Sequence, residues 1–228
     1  MKIKTRHIMR KHILIFKIIF VLMVLMVGNC FSADHGNADK EAMKEKLVGG
    51  KASFTEDGFF YVYDDGGSRL NHEVPSGWMG DYGDIALDLN WEENPQSGTT
   101  CMKWTYTAEG KQGEGWGGAY WQTPQGYYIP DREVRFDLSK AKRLIVWARG
   151  EKGNEKILIK VGGLGGELSD SDTKTSEVLI LSKDWQEFII DLSDMDLSYI
   201  GGIFCWIAEK QSNPDGCIFY LDNVRYEK

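Results

Sequence analysis

The sequence predicts an all-β protein, a sandwich of two antiparallel sheets. Three observations carry that reading. From Phe59 onward apolar and polar residues alternate with a period of two rather than 3.6. The alternating runs are short, rich in β-branched and aromatic residues, and bounded by Gly, Asp, Asn, Ser or Pro. No stretch after the amino-terminal leader places apolar residues at i, i+3, i+4 and i+7 over several turns.

The amino end stands outside this pattern. Residues 1–12 carry Lys2, Lys4, Arg6, Arg10 and Lys11 and no acid, and residues 13–27 are apolar apart from Lys17. Cys30 and Ser32 then supply small residues three and one before Ala33. A basic start, an apolar middle and such a site describe a secretory signal peptide over 1–32 and a secreted, extracellular or periplasmic, protein. The apolar run is short for a hydrocarbon core about 30 Å thick, so no membrane insertion is expected after cleavage. Asn29 stands where a lipid-attachment motif needs a small residue before Cys30, which disfavours lipidation. Residues 33–54 read as a flexible charged leader, and 55–228 as one domain.

Cleavage removes six basic residues and no acid, so the formal charge moves from −7 to −13, with 21 basic against 34 acidic residues. No Lys/Arg cluster follows residue 33, which argues against nucleic acid as a partner. Three cysteines remain. Cys205 and Cys217 flank the turn-rich EKQSNPDG and are the first pair to consider for a disulfide. Burial of all three as small hydrophobes is the equal alternative.

The expected strands are 59–64, 84–91, 99–107, 116–122, 143–150, 155–162, 177–181, 187–192, 202–208 and 217–227. Alternation assigns their faces. Met102, Trp104 and Tyr106 point to the core, with Lys103, Thr105 and Thr107 opposite. Ile157, Ile159 and Val161 point in, as do Phe188, Ile190 and Leu192. Phe219 and Leu221 point in, which puts Asp222 on the other side or at the strand end. In WGGAYWQ (116–122) the side with Gly117, Ala119 and Trp121 lacks a polar group and is core. Trp116, Gly118, Tyr120 and Gln122 face outward. Trp104, Trp121 and Trp147 are expected in the core.

The closing FYLDNVRYE (219–227) resembles the last strand of secreted carbohydrate-binding modules with the galactose-binding-like jelly roll. FDLSKAKRLIVWARG (136–150) and WQEFIIDLSDMDLSYIGGIFCWIA (185–208) resemble the same modules, with a strand, an Asp-Leu-Ser turn and an apolar strand in the expected order. The match covers roughly 55–228. The complex I intermediate-associated protein family is similar in the same features and is not primarily a sugar binder. The resemblance implies a jelly-roll sandwich and, in many such modules, a structural calcium joining the first strand to the last. Asp222 matches that position, with Asp64 or Asp65 as its partner; ordinary strand-end acids are the alternative.

A sugar-binding face needs exposed aromatics for stacking and polar groups for hydrogen bonds. Trp116, Tyr120 and Gln122 are the first candidates, with Tyr127 and Tyr128 of the following loop as a wall. Trp78, in the glycine-rich loop 74–88 beside Tyr82, is the second, either exposed or folded back as a lid over one end of the sandwich. Catalysis has no motif. A nucleophile–histidine pair would have to use His72, and GGLGG (162–166) lacks the Lys-Ser/Thr of a phosphate loop. The sequence therefore points to a non-catalytic, monomeric module that binds a polysaccharide or other glycan. A structural or adaptor sandwich without sugar affinity, and a small β-sandwich glycoside hydrolase or lyase, are the alternatives.

Overall fold

The computed structural model describes residues 50–51, 53–123, 135–166 and 169–228. The signal peptide and most of the leader lie outside them, as do Tyr127 and Tyr128. The alternating runs form two antiparallel six-stranded sheets that share one core. The first sheet runs in the order β10 (Thr173–Thr175), β9 (Lys156–Gly162), β13 (Gly202–Glu209), β6 (Trp116–Gln122) and β3 (Pro75–Gly80), with β11 (Leu179–Ile180) also on β9. The second runs β12 (Gln186–Asp191), β8 (Arg143–Gly150), β14 (Cys217–Glu227), β5 (Cys101–Tyr106) and β4 (Ile85–Trp91), with β2 (Phe59–Tyr63) also on β14. A small parallel pair joins β1 (Gly50–Lys51) to β7 (Phe136–Asp137). Phe54, at the end of the expected leader, packs on Phe60 with ring centroids 5.9 Å apart.

The expected strands are present, most with boundaries shifted by a residue or two, and the assigned core faces meet. Trp104 lies at the centre, its ring 4.8 Å from Trp206, 5.6 Å from Trp121 and 5.8 Å from Trp78. These are offset or edge-to-face arrangements, the geometry the ring quadrupole favours. Gly118 makes room within the sheet: a Cβ there would sit 2.6 Å from the Trp206 carbonyl.

Two expectations are corrected, and of the two readings of the cysteines the structure takes the second. The stretch 74–88 is not a loop. Pro75–Gly80 is the edge strand β3, followed by one 3₁₀ turn, Tyr82–Asp84, and then β4. Proline is tolerated there because it opens an edge strand. Its partner strand supplies the second reason for Gly80, which has φ +60° and whose Cβ would strike the Trp116 carbonyl at 2.3 Å. Trp147 is not in the core. Leu144, Val146 and Ala148 take the inner face of β8, so Ile145, Trp147 and Arg149 face out, with Trp147 half-buried. Cys101, Cys205 and Cys217 are all free and buried, and burial raises each thiol's pKa.

Candidate functional site

Trp78 and Trp116 are the expected platform residues that keep exposed surface. Trp116 is half-buried against Gly80. Trp78 is 42% exposed but points to the inner side of β3 and packs on Trp104. It stands on the edge strand β3, opposite Ala119 of β6. Tyr120 faces outward yet is only 4% exposed, because its hydroxyl donates to the Gly162 carbonyl at 2.9 Å. Gln122 is buried against Gly77, where a Cβ would meet its Oε1 at 2.5 Å. The outer face of β6 therefore offers no open platform among the described residues, which corrects the expectation for Tyr120 and Gln122.

The opposite sheet carries a different arrangement on its outer face. One transverse row crosses four neighbouring strands: Trp91 on β4, Lys103 on β5, Tyr220 on β14 and Arg149 on β8. Trp185, just before β12, closes the row. Aromatic and cationic groups alternate along it. The Lys103 Nζ sits 3.5 Å from the Trp91 ring centre and 5.9 Å from Tyr220; the Arg149 guanidinium sits 3.6 Å from Tyr220 and 5.3 Å from Trp185. Such contacts fix ring planes at the surface. Trp147 lies one register step along, between Asp222 and Glu187. The Tyr220 hydroxyl donates to Glu151 Oε2 at 2.7 Å, and burial, seconded by that carboxylate, raises its pKa. Among the described residues, Trp91 Nε1, Arg149 Nε and Gln96 Oε1 are buried polar atoms without a partner, so unspent hydrogen-bonding capacity gathers at this row and its neighbouring loop.

Alternation places Lys103 and Tyr220 on the outer faces of their strands, so part of the row was within reach of the sequence. What no local pattern shows is that Trp91, Arg149 and Trp185 stand beside them. The Trp91 position also depends on a register shift between Asp88 and Trp91, which turns Trp91 to the Lys103 side.

The β4–β5 loop, residues 92–100, is held against this face by carboxylates. The Asp222 Oδ2 accepts the backbone N–H groups of Gln96 at 2.8 Å and Ser97 at 3.1 Å, and its Oδ1 accepts that of Asn223 at 2.7 Å. Asp65 accepts from the backbone N–H groups of Gly66, Thr99 and Thr100 and from both threonine hydroxyls. Its pKa is lowered, since these donors outweigh burial, the largest single influence. Asp64 accepts from the Ser68 hydroxyl at 2.8 Å. The loop in turn reaches the row: its Glu93 carbonyl lies 3.4 Å from the Arg149 guanidinium, and its Asn94 carbonyl accepts from Trp185 Nε1 at 2.9 Å.

This arrangement does not fit the expected calcium. The oxygens of Asp65 and Asp222 turn to backbone donors, which a cation would repel, and a calcium ion needs six to eight oxygen ligands. Among the described residues no cluster of three or more His, Cys, Asp or Glu side chains is placed to hold a metal. Dialysis against EDTA is expected to leave the thermal midpoint of the protein unchanged; a fall of more than about 4 °C, roughly 1 kcal/mol or more for a domain of this size, would restore the ion.

The His72 ring stacks on Phe60 at 3.9 Å, and its Nδ1 lies 2.8 Å from the Tyr61 carbonyl. Gly162, Gly163 and Gly166 have positive φ and form a bend after β9.

No family model and no curated protein matches the chain. Solved structures share its fold. The family 30 carbohydrate-binding module of the cellulosomal cellulase Cel9D-Cel44B of Clostridium thermocellum superposes with a TM-score of 0.53 at 14% identity, covering 75% of this chain and 97% of that one. The family 11 module from Clostridium thermocellum, solved in complex with a β-1,3-1,4-mixed-linked tetrasaccharide, gives 0.51 at 15% identity, covering 76% and 97%. At such identity the likeness establishes the jelly-roll sandwich and leaves the ligand to the site itself.

Proposed function

We propose that this chain is a non-catalytic carbohydrate-binding module, and that its glycan lies across the outer face of the sheet β12–β8–β14–β5–β4. The row Trp91–Lys103–Tyr220–Arg149–Trp185 carries the reading. A pyranose ring offers C–H faces to aromatic rings and hydroxyls to charged and amide groups, and the row supplies both kinds of partner at fixed spacing. Trp91, Trp185 and Trp147 keep exposed surface, while buried Tyr220 and Arg149 hold the others in place. Fold neighbours that are carbohydrate-binding modules support the reading. On the same view the amino-terminal segment directs export, and the module acts as a monomer outside the cytoplasm.

A panel of soluble polysaccharides in affinity gel electrophoresis tests it. Trp91→Ala and Trp185→Ala are each expected to weaken binding about tenfold, roughly 1.4 kcal/mol. Tyr82→Ala, an exposed aromatic in the turn between β3 and β4, is expected to bind as the parent does. Silence of the parent protein across the whole panel would retire the proposal, and loss of binding in Tyr82→Ala alone would move the site to the Trp78 corner.

A further inference from the structure

A pocket flanks the row, one step along β5 and β14 from Lys103 and Tyr220. A cavity of about 390 Å³ opens where β5 and β14 meet the β8–β9 and β13–β14 turns. Its lining includes the outer-face residues Thr105 and Ile218, together with Glu151, Glu155, Ser212 and Asp215. It is continuous with the row, because Glu151 is the acceptor of the Tyr220 hydroxyl. The two turns that form its far wall are tied together. Asn213 Oδ1 accepts the Lys156 N–H at 3.0 Å, and its Nδ2 donates to the Lys156 carbonyl at 2.8 Å. Glu155 is 7% exposed. Its Oε1 accepts the Lys152 N–H at 2.6 Å, while Oε2 has no partner among the described residues. That oxygen fills the space a Cβ on Gly150 would take, so it faces β8.

Building on the proposed function, the geometry points to recognition of a chain end: the terminal ring of a neutral glycan enters this pocket while the preceding rings meet the row beside it, at Lys103 and Tyr220. Three features argue for this occupant. The volume lies at the small end of the roughly 300–1,000 Å³ typical of small-ligand sites, so it suits a single ring. The turns of residues 151–155 and 212–216 stand at the end of β5 and the start of β14 and close the pocket in that direction. Glu151, Glu155 and Asp215 against Lys152 make the lining acidic, which accepts hydroxyl donors and repels a uronate.

The test uses purified protein and neutral polysaccharides (β-glucan, xylan, mannan), each whole and after partial hydrolysis that raises the number of chain ends about tenfold at equal mass. Titration calorimetry is expected to find about tenfold more binding sites per gram in the hydrolysed material. Ser212 is half-buried and its hydroxyl makes no hydrogen bond among the described residues, so Ser212→Leu fills the pocket without disturbing a partner there. It is expected to weaken binding of short oligosaccharides at least tenfold with an unchanged melting temperature. Equal sites per gram before and after hydrolysis, or parent-like binding by Ser212→Leu, would overturn chain-end recognition and leave the module reading standing. Absence of binding to every whole and hydrolysed glycan would overturn both.

Discussion

Trp104→Ala is expected to lower the unfolding free energy by about 3–5 kcal/mol, the scale for truncating a fully buried tryptophan. The side chain has no solvent exposure and touches three other indoles, one from each of β3, β6 and β13. Its removal leaves a cavity between rigid rings that cannot collapse into it. A loss of this size is a large fraction of the roughly 5–15 kcal/mol by which a domain is stable. Trp104→Phe is expected to behave differently. The Trp104 Nε1 is buried with no acceptor among the described residues, so phenylalanine removes an unsatisfied donor along with some volume. The two effects oppose, and a cost of about 1 kcal/mol or less is expected. Urea unfolding monitored by fluorescence checks both variants. Equal losses for Ala and Phe would show that the indole N–H is satisfied after all.

Asp222→Ala is expected to cost about 2–4 kcal/mol and to weaken glycan binding. The fully buried carboxylate accepts three backbone N–H groups, and alanine leaves them without an acceptor. Two of them belong to the loop that presents carbonyls to Arg149 and Trp185, so the row should lose its alignment together with the loop. Asp222→Asn keeps one acceptor oxygen and is expected to retain most of both properties. The pH dependence separates charge from shape. Burial raises the Asp222 pKa to about 6 from an unfolded value of 3.8, against the opposing pull of the Ser97, Asn223 and Gln96 N–H groups and with a smaller push from Asp65. Between those values the folded chain holds more protons than the unfolded one. Its contribution to stability therefore falls as pH rises from about 3.8 to about 6 and is level above that. The neighbouring Asp65 works in the opposite sense. Its folded pKa is depressed, so its contribution is present above 3.8 and is lost as pH falls through the folded value. Asp222→Asn is expected to remove the first slope and leave the second. An unchanged pH profile in Asp222→Asn would show that Asp222 does not titrate in this window.

Much of the fold was legible because a strand announces its faces locally. Successive side chains alternate across the pleat, so Trp104 against Lys103 and Leu221 against Tyr220 could be sorted without knowing any neighbour. Trp147 was expected in the core on the packing preference of tryptophan alone, but the inner face of RLIVWARG is taken by smaller aliphatic residues and the tryptophan falls on the other side. Alternation was incomplete at Tyr120, which faces outward as expected but is buried by the bend that carries the Gly162 carbonyl. The expected calcium ligands show a related gap. The resemblance paired Asp222 with Asp64 or Asp65; Asp222 and Asp65 act on one loop, and which atoms they meet depends on where residues 96–100 pass.

From its own residues the chain therefore determined the all-β class, most of the strands and the inward set of each, because these follow from a period of two and from the turn chemistry between runs. Only the tertiary structure decided which outward residues stand side by side. Lys103 and Tyr220 come together because β5 pairs with β14, and Arg149 joins them because β8 pairs with β14 on its other side. The register shifts at Asp88/Trp91 and Asp222/Arg225, the second eased by Asn223 at φ +45°, then set which side chains reach the row. Strand order and bulges arise from contacts between segments distant in sequence, and no local pattern contains them.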